Sequence, residues 1–287
     1  MTTTTKSDSN FGFTLIELLV VIAVISILVS LTAIASSKVL ASARSSNESG
    51  ALRMVLQAYL LAATDRNGQF IDGYSNNQDE IFTGPNGEDI EWPASGRYVW
   101  RLLPYLDNAM ASLYVNDQKE LLSQYAESEN YSYIASVFPS FGLNSEWIGG
   151  DQRTTAMPAL ESRHLYGKYL SDIRHPSRQL VFASAKAPEG TDDGALNVHM
   201  EGYFEIKSPY FPSANDTWRW STVDGEPSTT ITGNSADHGN LSARHEGNVL
   251  TGQLDGSTGF VSINELADMR RWAPNANAVD WTPSIDP

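Results

Sequence analysis

The chain has 287 residues, 41% of them hydrophobic, enough to bury a sizeable core and too many for global disorder. Its 34 acidic and 19 basic residues leave a net charge of −15, which argues against a phosphate-binding face spread over the protein, so no nucleic-acid partner is expected. It has no cysteine, which excludes disulfides, a thiol nucleophile and Cys-ligated zinc.

Residues 1–12, MTTTTKSDSNFG, are mostly polar, with one Lys and one Asp. Residues 13–35, FTLIELLVVIAVISILVSLTAIA, are apolar on nearly every side. As a helix, at ~1.5 Å per residue, this run is about 35 Å long, enough to cross a bilayer. An amphipathic surface helix would keep a polar face, and this run has none. Three readings compete. A secretory signal peptide would use a small-x-small site, Ala33-Ile34-Ala35 or Ala41-Ser42-Ala43. Against it, the apolar stretch exceeds the usual ~7–15 residues and the leader has almost no positive charge. The others are a plain membrane anchor and a leader cut before the apolar run, with the helix retained. Glu17 separates these two. A carboxylate inside an apolar span costs about 3 kcal/mol on insertion scales and marks a function by default. The bland alternative is an incidental Glu17, protonated or snorkelling to the interface.

The segment Gly12-Phe13-Thr14-Leu15-Ile16-Glu17 resembles the prepilin signal of type IV pilins and type II secretion pseudopilins: a Gly junction, an aromatic first residue, a Glu fifth and an apolar helix beyond. The resemblance implies cleavage after Gly12 by a prepilin peptidase and N-methylation of Phe13. It further implies that Glu17 pairs with the free amine of a neighbouring subunit during assembly. In a low dielectric, pairing relieves the cost of both charges. The sequence departs from many family members in lacking a mid-helix Gly and a Pro near the end of the span, where Ile25-Ser26-Ile27 and Thr32-Ala33-Ile34-Ala35 stand, so a less kinked helix is expected.

No Pro interrupts the chain from Phe13 to Gly84. Residues 36–48 are largely polar, and Leu52, Val55, Leu56, Tyr59, Leu60 and Ala63 then recur at helical spacing opposite Arg53 and Gln57. One helix of about fifty residues is predicted, weakened at Gly50 by about 1 kcal/mol relative to Ala and stopped near Asp65-Arg66-Asn67-Gly68. The stripe is read as core that holds a domain to its stalk. Residues 70–91 are loop-rich. Residues 97–106, RYVWRLLPYL, read as a short amphipathic helix broken at Pro104, and 109–126 as one or two short helices. Strands are predicted at 131–138, 180–185, 202–206 and 249–254. A further strand, 260–263, pairs with the last as a hairpin around Asp255-Gly256. The tail after Leu266 wraps the surface or stays loosely held. Helix first and strands late indicate an α+β fold with an antiparallel sheet on the helix.

His245, nine residues and then Asp255-Gly256 form a second motif. It resembles the H-X9-DG motif near the C-terminus of many prepilin-type proteins from planctomycete- and verrucomicrobia-like bacteria. The blocks Trp100-Arg101-Leu102-Leu103-Pro104-Tyr105-Leu106 and Ile173-Arg174-His175-Pro176-Ser177 are similar to that group too. His245 and Asp255 can pair across the hairpin, directly or through a metal. The preferred reading is structural: His245 satisfies backbone carbonyls at the hairpin base and Asp-Gly makes the turn.

The acidic loops at 84–91 and 189–197 offer oxygen ligands suited to calcium, but neither fits the EF-hand pattern, and solvated loops are the simpler reading. Five scattered histidines (His164, His175, His199, His238, His245) form no HExxH, and no nucleophile elbow or phosphate loop occurs. The aromatic stretch Tyr203, Phe204, Tyr210, Phe211, Trp218 and Trp220 is read as core packing rather than a carbohydrate surface.

These readings give a pilin-like α+β chain: leader 1–12, transmembrane and filament-core helix 13–35, exposed helix 36–66 and globular domain 67–287. The expected role is a structural filament subunit without enzymatic activity or cofactor, in a type IV pilus-like or type II secretion filament. The Asp-Gly hairpin and the lack of cysteines tilt the choice toward the pseudopilin side. Expected partners are the prepilin peptidase, membrane lipid, other copies and, indirectly, an inner-membrane platform protein and an assembly ATPase. The expected location is the inner membrane, single-pass, with a periplasmic or extracellular domain. The rival is a membrane-anchored extracytoplasmic enzyme or ligand-binding domain that uses the helix only as an anchor.

Overall fold

A computed structural model describes residues 14–85, 87–154, 157–191, 201–211, 219–224, 226–228, 230 and 234–283, of which 31–35, 37 and 226 are described in backbone only. By packing, the chain divides into two compact units, Met1–Ser46 and Asn47–Pro287.

Helix α1 spans Leu15–Asp65, 51 residues, and runs through Gly50 without a break. A pair of left-handed residues ends it, Asn67 (φ 57°) and Gly68 (φ 85°). The Gly68 N–H donates to Ala63 O (2.8 Å) and the Asn67 N–H to Thr64 O (3.1 Å), satisfying carbonyls the helix leaves open.

In the second unit, Leu52, Val55, Leu56, Tyr59 and Ala63 of the predicted stripe are buried and Leu60 is half-buried, joined by Ala51, Ala58 and Ala62, while Arg53 and Gln57 face solvent. Each large side chain contributes about 2 kcal/mol by leaving water. Two-residue strands β1 (Phe82–Thr83) and β2 (Asp89–Ile90) pair in the loop-rich region. Helix α2 (Tyr98–Leu102) is buried throughout, Arg101 included, rather than amphipathic. The α-helix ends at Leu102, and Pro104 lies in the 3-10 turn Leu103–Leu106 that follows it. Helix α3 (Asp117–Ser123) fills the second predicted helical region.

Residues 131–138, expected as a strand, form helix α4 (Tyr131–Val137). Aromatic and β-branched residues favour strands locally, but Ile134, Ala135 and Phe138 share one helical face and all three are buried, so packing overrides propensity. Strand β3 (Phe141–Leu143) follows, then helix α5 (Met157–Ser162) and strand β4 (Leu180–Ser184). The 202–206 segment is not a strand; it meets the sheet through one bridge, Leu143 to Glu205. Short β5 (Thr222–Val223) and β6 (Glu226–Pro227) pair with each other, and β7 (Asn248–Gln253) and β8 (Thr258–Ser262) form the predicted hairpin. Helix α6 (Ile263–Leu266) stops β8 at once: the Ser262 hydroxyl accepts from the Glu265 N–H (3.3 Å), and the Glu265 carboxylate accepts from the Ser262 N–H (3.3 Å).

The main sheet is antiparallel, in the order β3-β4-β7-β8. Phe182, Leu250 and Leu254 join α1, α2 and α4 in one core. Leu180, Ala183, Val249 and Val261 join a second core with Trp147, Phe211, Trp220 and Trp272. Both sheet faces are therefore covered. The tail is not loose: Met269, Trp272 and Ala273 are fully buried. The aromatic stretch packs as expected, with Phe204, Tyr210, Phe211 and Trp220 buried; Trp218 lies outside the described residues.

Candidate functional site

Of the three N-terminal site residues, Gly12 and Phe13 lie outside the described residues and Glu17 lies within them. Thr14 and Glu17 form a reciprocal cap on α1. Glu17 Oε2 accepts from the Thr14 N–H (2.9 Å) and hydroxyl (2.7 Å), while Thr14 Oγ1 accepts from the Glu17 N–H (3.3 Å). The sequence carries this signal as Thr-x-x-Glu, which the prepilin pattern overlies. Beyond it, every described side chain from Thr14 to Ser30 is exposed, from Leu15 at 83% to Val21 at 43%. The two hydroxyls in the run are satisfied inside the helix: Ser26 donates to Ile22 O (2.7 Å) and Ser30 to Ile27 O (2.8 Å). This surface offers apolar groups in all directions and no open hydrogen-bonding side chain at mid-run, so it needs lipid or other helices around it. Among the described residues, no helix is long and apolar enough to cross a membrane; the expected span of 13–35 extends past the side chains described at each end.

The C-terminal motif is a turn, a strand and a turn. His245 and Asn248 exchange backbone hydrogen bonds (3.3 and 2.9 Å) across Glu246 (φ 52°) and Gly247 (φ 84°), both left-handed as a tight hairpin turn requires. Strand β7 follows. At its far end, the Gly256 N–H donates to Gln253 O (3.0 Å), the Gln253 N–H donates to Ser257 O (2.9 Å), and Gly256 adopts φ 85°. The loop is therefore three residues long, closed by a left-handed glycine.

His245 and Asp255 do not meet. Asp255 Oδ1 accepts from the Ser257 N–H (2.9 Å) and hydroxyl (2.6 Å), shaping its own turn. The His245 ring instead reaches Glu48 on α1, Nε2 to Oε2 at 3.0 Å, and packs edge-on against Phe260 of β8 (4.9 Å between centroids). Its backbone sits at the hairpin base as the structural reading held, but the ring serves a carboxylate rather than carbonyls.

Glu48 was not singled out in the sequence, where it sits in a polar stretch. It is 1% exposed. The Arg244 guanidinium grips both oxygens: Nε lies 3.0 Å from Oε1 and 3.2 Å from Oε2, and Nη2 also donates to Oε1. Arg244 further donates to Ala185 O (3.2 Å) and Ser140 O (3.1 Å), joining α1 to the ends of β3 and β4. Burial alone would raise the Glu48 carboxyl; the His245 hydrogen bond and the Arg244 charge outweigh it and hold the pKa below the usual carboxylate value.

Other buried carboxylates tie the loops through more exposed arginines. Arg153 binds Asp151 (2.5 Å) and Glu205 and stacks over Tyr74 (4.1 Å). Glu146 pairs with Arg219, and burial raises its carboxyl despite that charge. His238 is buried, edge-on to Trp220 (5.9 Å), and its pKa is lowered by burial. The remaining histidines are dispersed, His199 lying outside the described residues. Among the described residues, no three His, Asp or Glu side chains converge to hold a metal; most of the 189–197 loop lies outside them.

The family model described as the prokaryotic N-terminal methylation motif matches residues 8–33. The chain thus carries a type IV pilin-like prepilin signal. No curated protein and no solved structure matches the chain.

Proposed function

We propose that this protein is a structural subunit, pilin or pseudopilin, of an envelope filament of the type IV pilus or type II secretion kind, with no catalytic activity and no cofactor of its own. The observation that carries this reading is the methylation motif at residues 8–33, with Glu17 fifth after the Gly12 junction. The prepilin peptidase cuts after Gly12, and the new amino terminus of Phe13 is methylated. Residues 13–35 first hold the chain in the inner membrane with its domain outside. They then pack among the same residues of other copies, exchanging lipid for helix at apolar surfaces suited to both. Glu17 pairs with the amine of an adjacent copy. That exchange has a physical basis in the Thr14 cap, which engages Glu17 Oε2 and leaves the carboxylate a second oxygen for an incoming ammonium. The platform protein and assembly ATPase act in trans, and the Asp-Gly hairpin and the lack of cysteines favour the pseudopilin side.

Intact mass of the mature protein tests the reading. A product beginning at N-methylated Phe13 is expected. One that retains Met1, or begins after Ala35 or Ala43, overturns it in favour of an anchored domain or a secreted one.

A further inference from the structure

The proposed function gives no role to the segment 244–256, yet Arg244, His245 and Gly252 meet α1. We propose that it is the register lock of α1: Arg244 and His245 recognise Glu48 and thereby select one axial position of the helix on the sheet. This holds whether or not the chain is built into a filament.

Apolar packing alone fixes that position weakly. Ala51, Leu52, Val55, Leu56, Ala58, Tyr59, Ala62 and Ala63 give the docked face of α1 a repeat of three to four residues, so a slip by one turn, about 5.4 Å, still lays apolar side chains on the sheet. Charge breaks this degeneracy. Glu48 is the sole acid of α1 between Glu17 and Asp65. A slip one way brings Arg44 toward Arg244, two cations together; a slip the other way brings Leu52, leaving Arg244 and His245 without a carboxylate. Either error strands buried charge, which costs far more than the matched pair gains.

Two further contacts fall in the same register. A Cβ on Gly252 of β7 would lie 2.7 Å from Leu56 Cδ1 and 3.3 Å from Leu52 Cδ2, so the glycine admits those two leucines where they now lie. Next to the lock, Ser49 Oγ lies 3.0 Å from Thr258 Oγ1 on β8. The motif therefore has a division of labour. Its first residue reads the helix charge, its strand admits the helix closely, and its Asp-Gly turn returns the chain so that β8 can complete the seat.

The absence of native cysteines makes register measurable by disulfide capture in the full-length chain in detergent. Ser49→Cys/Thr258→Cys reports the native register, and Ser45→Cys/Thr258→Cys reports a helix slipped by one turn. With Glu48 and Arg244 intact, the native pair should close at least about tenfold faster under the same mild oxidant, a selectivity of about 1.4 kcal/mol. Glu48→Leu alone is set aside, since it destabilises the domain by leaving the half-buried Arg244 without its carboxylate. The double variant Glu48→Leu/Arg244→Met removes both charges, and such apolar replacements are often neutral or stabilising. In that background a cooperative melt should persist while the rate ratio falls toward one. An unchanged ratio in the double variant overturns the proposal. So does loss of its cooperative melt, because the charges would then be needed for folding itself rather than for register.

Discussion

Helix α1 carries Glu17 in its apolar N-terminal run and Glu48 just before its buried stripe, and the two acids live differently. Glu17 is exposed among exposed apolar side chains, and it accepts hydrogen bonds within its own first turn, from Thr14. Glu48 is buried beside a buried apolar stripe, and both of its oxygens are taken by side chains almost two hundred residues away in sequence. The same residue type on the same helix is an internal fastener where the chain supplies the countercharge. At Glu17, exposed among apolar side chains, the role proposed above is pairing with a second copy. Burial, more than sequence pattern, separates the two roles.

Crossed substitutions put this contrast at greatest risk. Glu48→Ala should cost the domain up to about 3 kcal/mol, because it leaves the half-buried Arg244 without its carboxylate, read as a fall in the chemical-denaturation midpoint of the full chain in detergent. Glu17→Ala should leave that midpoint unchanged, and leave insertion and cleavage intact, while incorporation into filaments is lost. If Glu17→Ala assembles normally, or Glu48→Ala melts like the parent, the contrast collapses.

A smaller effect tests the seat rather than the charge. Gly252→Val should cost about 1–3 kcal/mol by overpacking, since its Cβ would crowd Leu56 at 2.7 Å; a smaller residue at position 56 should recover part of the loss.

Two acid-sensitive groups of the domain act in separate pH windows. Burial lowers the His238 pKa from 6.5. The unfolded chain therefore binds that proton first, and stability declines as pH falls below about 6.5. Glu48 is held below 4.5, so its contribution is present above about pH 4.5 and is lost as pH falls through its folded value. Subtracting the melting curves of His238→Gln from those of the parent should isolate the first window, and Glu48→Gln the second. Reversal of either sign refutes the assignment. The smallest effect belongs to Thr14→Ala, which removes the N-terminal cap at about 1 kcal/mol. It should speed amide exchange in the first turn of α1 and nowhere in the sheet.

Helix α1 was legible in the sequence to its last turn, because its periodicity is long and Asn67-Gly68 is an unambiguous stop. The β7–β8 hairpin was legible from Asp255-Gly256. The strands expected at 131–138 and 202–206 were not found, because each rested on composition over a short window where packing decides. His245 stands out as part of a motif, yet its partner was hidden: one glutamate in a polar stretch reads as solvated until the fold brings the motif to it. The one available clue was the scarcity of acids in α1, which alone says nothing about where Glu48 points.

Strand β8 has one further consequence. Among the described residues it has a single strand neighbour, so it forms an outer margin of the main sheet, only five residues long before Ser262 turns the chain into α6. At the opposite margin, the backbone at Phe204 and Ile206 already occupies Leu143. So brief a margin is a poor template for adding strands. Copies of this protein concentrated side by side are thereby discouraged from fusing through their sheets in the manner of amyloid, and close association is left to the apolar end of the helix.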